Sequence, residues 1–572
     1  MLVNVTINNR TFNEDSSLTI LQVAKKHGIR IPTLCYLMKE ESNFEHKPAS
    51  CRVCVVEVVG RRNLVPACAT NIAEGMVVYT NTTRVRNERR NVVELILSNH
   101  PKDCITCEKS GKCALQDLAI ELGIKKISYE GTLSQENVEI VNNAIKRNPS
   151  KCILCTRCIE VCNQIQTIGA ISASNRGFET IICEPNNCVY CGQCIQVCPT
   201  GALMQVDDTY KVEKELNDPN KYVVINTAPA VRVSLGEEFG FAPGTDVTGK
   251  MITALRMIGF KKVFDTNFAA DLTIMEETTE FVNRLKKGEN LPLITSCCPG
   301  WVRFIESQYP ELLNLPSSCK SPQEMFGAIA KTYFASKENI NPENMVVVSL
   351  MPCIAKKVEC DREELNFDGI KGTDYSLSVK EFASMLKRYG IDFASLEEGS
   401  FDLPLGQSTG AADIFANTGG VIEAVARTAS IWLTNSLPEI EFKEVRGLSG
   451  TREATLNLND LSIKLCIVSG LANARKVLEA IKEGSAHYDA IEIMACPGGC
   501  VNGGGQPVHK DMEQIDVIKM RQQGIYNVDK NKKVRISCEN EGIKKLYDEF
   551  LKEPNSHIAH KLLHTSYINR KD

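Results

Sequence analysis

The sequence lacks the features that mark several large classes of protein. It has no basic excess, since 66 Lys and Arg face 70 Asp and Glu and the net charge is -4, whereas nucleic-acid binding usually shows as a strong basic excess. The stretch Met1 to Asp15 has no apolar run before a cleavage site, and no run approaches the roughly 18 residues of a membrane span. We therefore expect a cytoplasmic protein with no nucleic-acid partner and no membrane span.

Nucleotide-binding fingerprints are also missing. The glycines Gly503 to Gly505 do not form the GxxxxGK or GxGxxG arrangement that a phosphate loop would show, and we find no dinucleotide or flavin fingerprint. Its hydrophobic fraction of 43% and charged fraction of 24% are ordinary for a globular protein. At about 150 residues per domain, 572 residues suggest about four domains.

Cysteine is what the sequence has in abundance. There are 25 cysteines, an odd number that cannot all be paired in disulfides, and in a reducing cytoplasm such density indicates metal ligation or redox chemistry. Sixteen lie between Cys35 and Cys198, and nine follow Pro199. The acidic pair Asp207-Asp208 and the polar stretch Lys211 to Lys221 between these regions predict a linker.

The first segment, residues 1–80, reads as a small ferredoxin-like domain of the β-grasp type. Leu2 to Ile7 alternates as a strand, Asn8-Asn9 predicts a turn into a second strand, and Ser17 is the expected cap of a helix. A C-x15-C-x2-C-x13-C pattern then predicts a 2Fe–2S cluster, with an expanded first loop relative to the plant-type spacing; four unrelated thiols are the alternative. The predicted ligands are Cys35, Cys51, Cys54 and Cys68.

The second segment, residues 81–125, reads as a small helical domain with three cysteines and one histidine. Three thiolates can hold three corners of a 4Fe–4S cluster, and His100 stands close enough to supply the fourth ligand, although a Cys3His zinc site would use the same residues. The set is His100, Cys104, Cys107 and Cys113. A basic run before it predicts a solvated helix face, with partner docking as the alternative: Arg84, Arg86, Arg89 and Arg90.

The third segment, residues 126–210, contains an internal repeat. A C-x2-C-x2-C-x3-C run occurs twice, displaced by 36 residues, and this is the two-cluster bacterial ferredoxin pattern in which the fourth cysteine of each run serves the other cluster. Asn163 replaces the proline expected after the first run. The two predicted 4Fe–4S ligand sets are Cys152, Cys155, Cys158 and Cys198, and Cys188, Cys191, Cys194 and Cys162.

Residues 211–572 read as a large α/β domain, which makes the whole chain a multi-domain α+β protein. The predicted buried strands are Tyr222 to Asn226, Leu291 to Ile294, Met345 to Leu350 and Ile491 to Met494, with a helix over Thr248 to Gly259. Three of the strands run directly into cysteine motifs, and loops at neighbouring strand ends can bring distant thiolates together. The motifs are Thr295-Ser-Cys297-Cys298-Pro-Gly-Trp301, Met351-Pro-Cys353 with Lys356, Lys357 and Glu359, and Met494-Ala-Cys496-Pro-Gly-Gly-Cys500.

These three stretches resemble the signature motifs of the iron-only (FeFe) hydrogenases, and the upstream clusters resemble the long modular members of that family. The resemblance covers essentially the whole chain. It implies an enzyme that reversibly reduces protons to H2, with electrons arriving through the accessory clusters from ferredoxin. It also implies dependence on maturation proteins.

The resemblance implies the cofactor and its surroundings. A 4Fe–4S cluster would be held by Cys298, Cys353, Cys496 and Cys500, with Cys500 bridging to a diiron unit that carries CO, cyanide and azadithiolate. Lys356 would donate to a cyanide, and Gly503 to Gly505 would allow a close backbone approach. The other residues around the diiron unit would be Gln323, Met351, Pro229 and Ala230, where many members have serine at the last position.

The resemblance also implies a proton relay through Cys297, Glu277, Ser317 and Glu280, with Arg284 near the exit. Without it, the spacing of Glu277 and Glu280 fits a solvated helix face equally well. Five cysteines receive no role: Cys183, Cys319, Cys360, Cys466 and Cys538.

Other functions remain open from the sequence. His100 to Gln116 and Leu562 to Tyr567 resemble the catalytic subunit of multi-subunit NAD(P)H-linked hydrogenases, whose nucleotide would bind a separate flavoprotein chain. A non-catalytic electron-transfer subunit or an iron–sulfur assembly protein is disfavoured, because all three motifs, Lys356 and Cys297 are intact together. A sensor of H2 would usually bring an added signalling domain.

Overall fold

A computed structural model describes residues 1–183, 187–434, 442–458 and 461–571. The chain forms two compact units. Unit 1 comprises Met1–Gln164, Gly169–Asn186 and Cys194–Met204, and unit 2 comprises Ile165–Ile168, Asn187–Gln193 and Gln205–Asp572.

The first 205 residues contain short strands and few helices. The strands are β1 Leu2–Ile7, β2 Arg10–Asp15, β3 Leu37–Lys39, β4 Phe44–His46, β5 Val55–Val58, β6 Val65–Pro66, β7 Met76–Tyr79, β8 Ile140–Val141, β9 Ile145–Arg147, β10 Ser172–Ser174, β11 Ile181–Cys183 and β12 Leu203–Gln205. The helices are α1 Ile20–Lys26, α2 Thr83–Ser98, α3 Ala114–Glu121, α4 Arg157–Glu160 and α5 Gln193–Val197.

The N-terminal sheet confirms the predicted β-grasp arrangement. Its strand order is β2-β1-β7-β5-β6, with β1 antiparallel to β2 and parallel to β7. The alternation of β1 buries Val3, Val5 and Ile7 on one face, where they join the buried residues of α1 in a single core.

The expected cap of α1 was wrong. Thr19, not Ser17, is the N-cap: the Gln22 backbone N–H donates to Thr19 Oγ1 at 3.3 Å, and the Thr19 N–H donates to Gln22 Oε1 at 2.8 Å. A glutamine three residues after the cap completes this reciprocal pair, and Ser17 lacks such a partner. The Ser17 N–H instead donates to Asp15 Oδ1 at 2.8 Å.

The basic run on α2 is only partly solvated. Arg89 is 6% exposed and donates from Nη2 to the Val55 carbonyl at 2.8 Å, so this residue contradicts the predicted solvated face. Arg84, Arg86 and Arg90 are exposed, as expected. One face of α2 therefore packs on β5 through a buried guanidinium that satisfies a strand carbonyl.

Unit 2 contains the remaining elements. Its strands are β13 Tyr222–Thr227, β14 Lys262–Asp265, β15 Leu293–Ile294, β16 Met345–Met351, β17 Tyr375–Ser378, β18 Thr451–Leu458, β19 Leu461–Ser469 and β20 Ala490–Met494. Its helices are α6 Thr209–Asn217, α7 Thr248–Ile258, α8 Thr266–Lys287, α9 Pro299–Gln308, α10 Pro322–Ile329, α11 Ala335–Lys337, α12 Ala355–Glu359, α13 Val379–Arg388, α14 Gly410–Asp413, α15 Gly420–Thr434, α16 Leu471–Lys482, α17 Gln514–Asn531, α18 Glu541–Leu546 and α19 His557–Leu563.

Two four-stranded sheets organise unit 2. One has the order β14-β13-β16-β17 and the other β15-β20-β19-β18. The first is wholly parallel, and in the second only β18 runs antiparallel to its neighbour. The four predicted strands are confirmed, although the third-motif strand begins at Ala490 and the Leu291 strand is shortened to Leu293–Ile294. Both faces of these strands are buried, which explains their continuous apolar runs.

The predicted linker after Asp208 is wrong, because most of it is helix α6. Val212 is fully buried in the core beneath the β13 sheet. Asp208 is 8% exposed and accepts from Lys357 Nζ at 2.7 Å. A polar stretch can form a packed helix when one apolar residue per turn and one buried ion pair anchor it.

Candidate active site

A cavity in unit 2 collects residues from all three cysteine motifs. It lies where β13 and β16 end, because parallel neighbours present their carboxyl ends at the same edge. β13 leads into the turn Pro229–Val231, and β16 leads through Met351 into Cys353. The lining is Ala228, Pro229, Ala230, Thr266, Ala270, Cys297, Pro322, Gln323, Met351, Pro352, Cys353, Lys356, Phe415, Ala416 and Cys500.

The four predicted cluster ligands of unit 2 lie beside one another, with Cys496 buried and Cys298, Cys353 and Cys500 half-buried. Burial raises the pKa of each thiol, and the neighbouring thiols raise the pKa of Cys353, Cys496 and Cys500 further. Cys298 caps α9 and accepts from the Ala495 N–H at 3.5 Å. Mutually repelling buried thiolates need a cationic partner, and thiolates are the ligands of iron–sulfur clusters. The donor set therefore fits the implied cluster.

Glycines form one wall of this region. A Cβ at Gly503 would lie 2.3 Å from the Pro352 oxygen, and one at Gly505 would lie 3.0 Å from the same atom. At Gly504 it would lie 2.7 Å from the Cys191 oxygen. The expected close backbone approach is thus observed, and any side chain at Gly503 or Gly504 would displace a neighbouring backbone.

Lys356 and Gln323 have polar partners as well as a place on the cavity wall. Lys356 Nζ lies 2.7 Å from Glu359 Oε2 and 3.2 Å from the Cys297 carbonyl. Gln323 Nε2 donates to Glu359 Oε2 at 3.1 Å and to Glu324 Oε1 at 2.9 Å. Gln323 Oε1 is buried without a hydrogen-bond partner among the described residues, which fits a residue that meets a bound group.

Two acids of this network were not assigned from the sequence. Burial, followed by the Glu359 charge, raises the pKa of Glu324 to about 7. Glu359 was visible in the second motif, but nothing in its spacing distinguished an anchor for Lys356 from a surface acid. Phe415 and Ala416 also line the cavity, and no cysteine motif marks them.

The predicted relay residues lie along α8 and the loop that follows Ile294. Glu277 is 1% exposed, so the solvated-face interpretation fails for it. Burial, and next the Glu280 charge, raise the pKa of Glu277 to about 8. Ser317 Oγ donates to Glu280 Oε2 at 3.0 Å, and Arg284 Nη2 donates to Glu280 Oε1 at 2.6 Å.

Cys297 lies close enough to Glu277 for the two side chains to interact electrostatically. Burial, the neighbouring thiols Cys298 and Cys500, and Glu277 all raise its pKa. The thiol therefore stays protonated between the cavity and the buried acid. Glu277 Oε1 has no hydrogen-bond partner within the described ranges, so it is available as an acceptor at this end of the predicted relay.

In unit 1, the four cysteines of the β-grasp domain are free thiols that lie together as two hydrogen-bonded pairs. The Cys51 thiol lowers the pKa of Cys35 by hydrogen bonding, and Cys68 does the same for Cys54. The charge of Cys35 also raises the pKa of Cys54 and Cys68, so the two pairs are neighbours. The structure brings this predicted set together.

The histidine–cysteine set is only partly assembled. His100 Nδ1 lies 3.0 Å from the Pro101 carbonyl, while its Nε2 is buried without a hydrogen-bond partner among the described residues. Burial lowers the pKa of His100, which keeps the ring neutral. Burial, and to a smaller extent the nearby Cys107, raise the pKa of the Cys113 thiol. Cys104 is exposed. A neutral ring with an unused nitrogen fits a metal ligand.

A second cavity, in unit 1, contains one of the two ferredoxin-type sets. Cys198 raises the pKa of the other three thiols, which confirms their proximity. The cavity-lining members of this set are Cys152, Cys155, Cys158 and Cys198. The other set is divided between the two units and stays a prediction: Cys162 and Cys194, and Cys188 and Cys191.

The cysteines without an assigned role are mostly buried thiols. Cys319, Cys360 and Cys466 are between 0% and 4% exposed, and Cys360 Sγ donates to the Lys356 carbonyl at 3.2 Å. Cys538 is half-buried, and Cys183 ends β11.

Comparison with known proteins agrees with this geometry over the whole chain. The NADP-reducing hydrogenase subunit HndD of Solidesulfovibrio fructosivorans is 49% identical over 584 residues, covering 100% of this chain and 99% of that protein. The chain belongs to the iron-only (FeFe) hydrogenases. Iron hydrogenase 1 of Clostridium pasteurianum is 41% identical over 98% of this chain and 99% of its own length.

Family profiles match successive parts of this FeFe hydrogenase. The iron only hydrogenase large subunit, C-terminal domain, matches residues 221–504, and the iron hydrogenase small subunit matches 515–570. Residues 1–83 match a 2Fe-2S iron-sulfur cluster binding domain, 89–128 the NADH-ubiquinone oxidoreductase-G iron-sulfur binding region, and 151–202 a 4Fe-4S dicluster domain. The predicted modular form is confirmed.

A solved structure also matches the hydrogenase part. The apo [FeFe]-hydrogenase HydA1 from Chlamydomonas reinhardtii is 39% identical, with a TM-score of 0.58, over 64% of this chain and 100% of that chain. Within the described residues, no helix is long and apolar enough to cross a membrane.

Proposed function

We propose that this chain interconverts H2 with two protons and two electrons at the cavity in unit 2. The observation that supports this most directly is the convergence of Cys297, Cys353, Lys356 and Cys500 from three distant motifs on one cavity. An assembly protein would need the cluster thiols, but it would have no need of a protonated thiol that continues into buried acids.

The cofactor would be held by the four neighbouring thiols of unit 2. Cys298, Cys353, Cys496 and Cys500 would ligate the 4Fe–4S cluster, and Cys500, which lines the cavity, would bridge to the diiron unit with its CO, cyanide and azadithiolate ligands. When bound, this group supplies the metal at which H2 is formed or split.

The chain's own groups would position that cofactor and exclude water. The Lys356 ammonium, anchored by Glu359, can donate to a cyanide, and Gln323 offers its unpartnered oxygen. Pro229, Ala230 and Met351 supply the turn and the apolar wall. Such surrounding contacts orient a metal group that has only one covalent tie to protein.

The proton would move along α8. Cys297 would exchange its proton with Glu277, and Glu277 with Ser317 and Glu280, where Arg284 fixes the outer carboxylate. A raised pKa of about 8 allows Glu277 to hold and release a proton near neutral pH. A chain of such groups is needed because an isolated proton cannot cross a low-dielectric interior.

Electrons would reach the site through accessory clusters. We propose one 2Fe–2S and three 4Fe–4S clusters in the domains 1–80, 81–125 and 126–210, ligated by the cysteine sets above with His100 as the one histidine, and the catalytic domain at 211–572. Cys191, a proposed accessory-cluster ligand, contributes to the raised pKa of the Cys496 thiol after burial and Cys353, and this proximity supports electron transfer to the proposed catalytic cluster.

A second form of the function concerns the electron partner. HndD is an NADP-reducing hydrogenase subunit, and residues 89–128 match an NADH-ubiquinone oxidoreductase-G region. These matches favour a cytoplasmic multi-subunit enzyme in which a flavoprotein chain oxidises or reduces NAD(P)H, over a chain served by ferredoxin alone. Purification under native conditions tests this: a co-purifying flavoprotein supports it, and full ferredoxin-linked activity of the isolated chain contradicts it.

The activity itself is tested with matured protein and dithionite-reduced methyl viologen. We expect H2 evolution that depends on maturation and is absent from the same chain expressed without the maturation proteins. Equal and negligible H2 evolution from both preparations, with iron and sulfide fully loaded, would contradict the proposed function.

A further inference from the structure

A branch of hydrogen bonds leaves the predicted relay at Glu280. Ser318 Oγ donates to Glu280 Oε2 at 3.1 Å, and the same hydroxyl lies 2.8 Å from His564 Nδ1. The other ring nitrogen, His564 Nε2, lies 3.1 Å from Glu276 Oε2. These contacts join α8 to the segment that follows α19, and none of them includes Arg284.

Backbone pairing holds the branch in place. Cys319 and His564 form an isolated antiparallel bridge. The Thr565 N–H donates to the Ser318 carbonyl at 2.8 Å, and the Lys320 N–H donates to the Leu563 carbonyl at 2.8 Å. His564 is therefore positioned by fixed backbone on both sides, as a proton-transfer group must be.

The branch ends at solvent. His564 is 8% exposed, and its ring centroid lies 4.3 Å from that of His560, which is exposed on α19. The exit through Arg284 lies at the other carboxylate oxygen of Glu280, because Arg284 Nη2 donates to Oε1. Each carboxylate oxygen of Glu280 thus faces a different route outward.

We propose that Ser318, His564 and His560 form a second proton route that joins the relay at Glu280. This inference rests on the proposed function, since it needs protons to pass through Glu280. Histidine is suited to the role because its ordinary pKa lies near 6.5 and either ring nitrogen can carry the proton.

The transfer moves one proton and no electrons. In the direction of H2 formation, the imidazolium of His564 gives its Nδ1 proton to Ser318 Oγ while the Ser318 hydroxyl proton passes to the Glu280 carboxylate. The neutral ring keeps its Nε2 proton, and rotation of the ring brings the vacated Nδ1 to the His560 side, where it takes a new proton from solvent before the ring turns back. Glu276, bonded to Nε2, stabilises the imidazolium form as a counter-charge.

The surroundings of His564 permit this cycle. The groups that face it are Glu276, Glu280, Cys319, Ser318 and His560. The Tyr547 hydroxyl donates to the other carboxylate oxygen of Glu276, and His557 lies near His560. Burial and the neighbouring His564 lower the pKa of His560, so the two rings do not favour carrying a proton at the same time. Burial and the nearby acids raise the pKa of Cys319, which leaves a neutral thiol beside the route.

Turnover of the matured enzyme tests the route. We expect His564→Gln and Ser318→Ala each to lower the rate of H2 evolution at pH 7 by about threefold or more, because each interrupts proton transfer. The double variant should be no slower than the slower single variant, since the two groups act in series. The control is His487→Gln, an exposed histidine outside the route, which should leave the rate unchanged.

The pH profile separates proton transfer from a structural effect. His564→Gln should change the shape of the pH–rate profile relative to the parent, while its affinity for viologen is unchanged. A His564→Gln profile identical to that of His487→Gln, or rate losses that multiply in the double variant, would overturn the route. An inactive parent enzyme would overturn the proposed function as well.

A second measurement needs no diiron unit. In protein prepared without maturation and labelled with 15N-histidine, Ser318→Ala should shift the His564 ring resonances, because Nδ1 loses its partner, and should leave those of His487 in place. Unchanged His564 resonances would show that the hydrogen bond does not exist in solution and would contradict the route.

Discussion

Glu277 shows at the scale of one residue how the fold changes a side chain's chemistry. Spacing on α8 fits a solvated face, yet the chain buries Glu277 against Ser317 and the cysteine loop. Burial then favours the neutral acid, and the pKa rises to about 8 from an ordinary value of 4.5. The role of this residue depends on where the loop packs, which no local sequence pattern contains.

The shift of Glu277 has a consequence for stability. Between pH 4.5 and 8 the folded chain holds a proton that the unfolded chain has released, so raising the pH through this window destabilises the folded state. Glu277→Gln should remove part of that decline. Apparent melting temperatures at pH 5 and pH 8 measure it, with the exposed Glu483→Gln as control. The same decline in both variants would contradict the assignment of Glu277 as a buried neutral acid.

Cys297 gives a prediction about catalysis. Cys297→Ser should keep all clusters but lower H2 turnover by about 100-fold or more, because it replaces the inner proton donor without touching a ligand. Iron content and the absorption spectrum check the clusters, and a viologen assay checks turnover. Cys538→Ser, a half-buried cysteine outside the cavity, is the matched control. Turnover equal to that of the control would exclude Cys297 from the relay.

Among the helices and strands, those with a regular apolar pattern were easier to predict than the residues at which an element begins or ends. The apolar runs of β13, β16 and β20 and the alternation of β1 gave the right strands, because burial on one or both faces leaves a direct mark on composition. The polar stretch that forms α6 was misassigned, since only Val212 and the half-buried Leu216 pack into the core. The ion pair before the helix joins Asp208 to Lys357, 149 residues further along the chain.

The N-cap of helix α1 can be tested by substitution. Thr19→Ala should lower the stability of the N-terminal domain by about 1 kcal/mol, because the reciprocal bonds with Gln22 are lost. Ser17→Ala should have a smaller effect, since Ser17 does not cap the helix. Thermal unfolding followed by the 2Fe–2S absorption measures both. A larger loss for Ser17→Ala would contradict the observed cap.

For the molecule as a whole, the sequence indicated which motif residues lie around the cavity but not which neighbouring side chains hold them in position. The three motifs predicted the cavity because cysteine spacing carries ligand geometry directly. Glu359, Glu324, Phe415 and His564 were not assigned, since each acts through a contact made only after folding. The chain as a whole is expected to bind about 20 iron atoms when its proposed clusters are complete.

The proposed function requires the unit 2 cavity to hold a diiron group tied to protein through Cys500. An anaerobic infrared spectrum of the matured chain tests this most directly, with Cys500→Ala prepared in parallel. We expect bands of metal-bound CO and cyanide in the parent and none in Cys500→Ala. Absence of these bands from fully matured parent protein, or their survival in Cys500→Ala, would contradict the account.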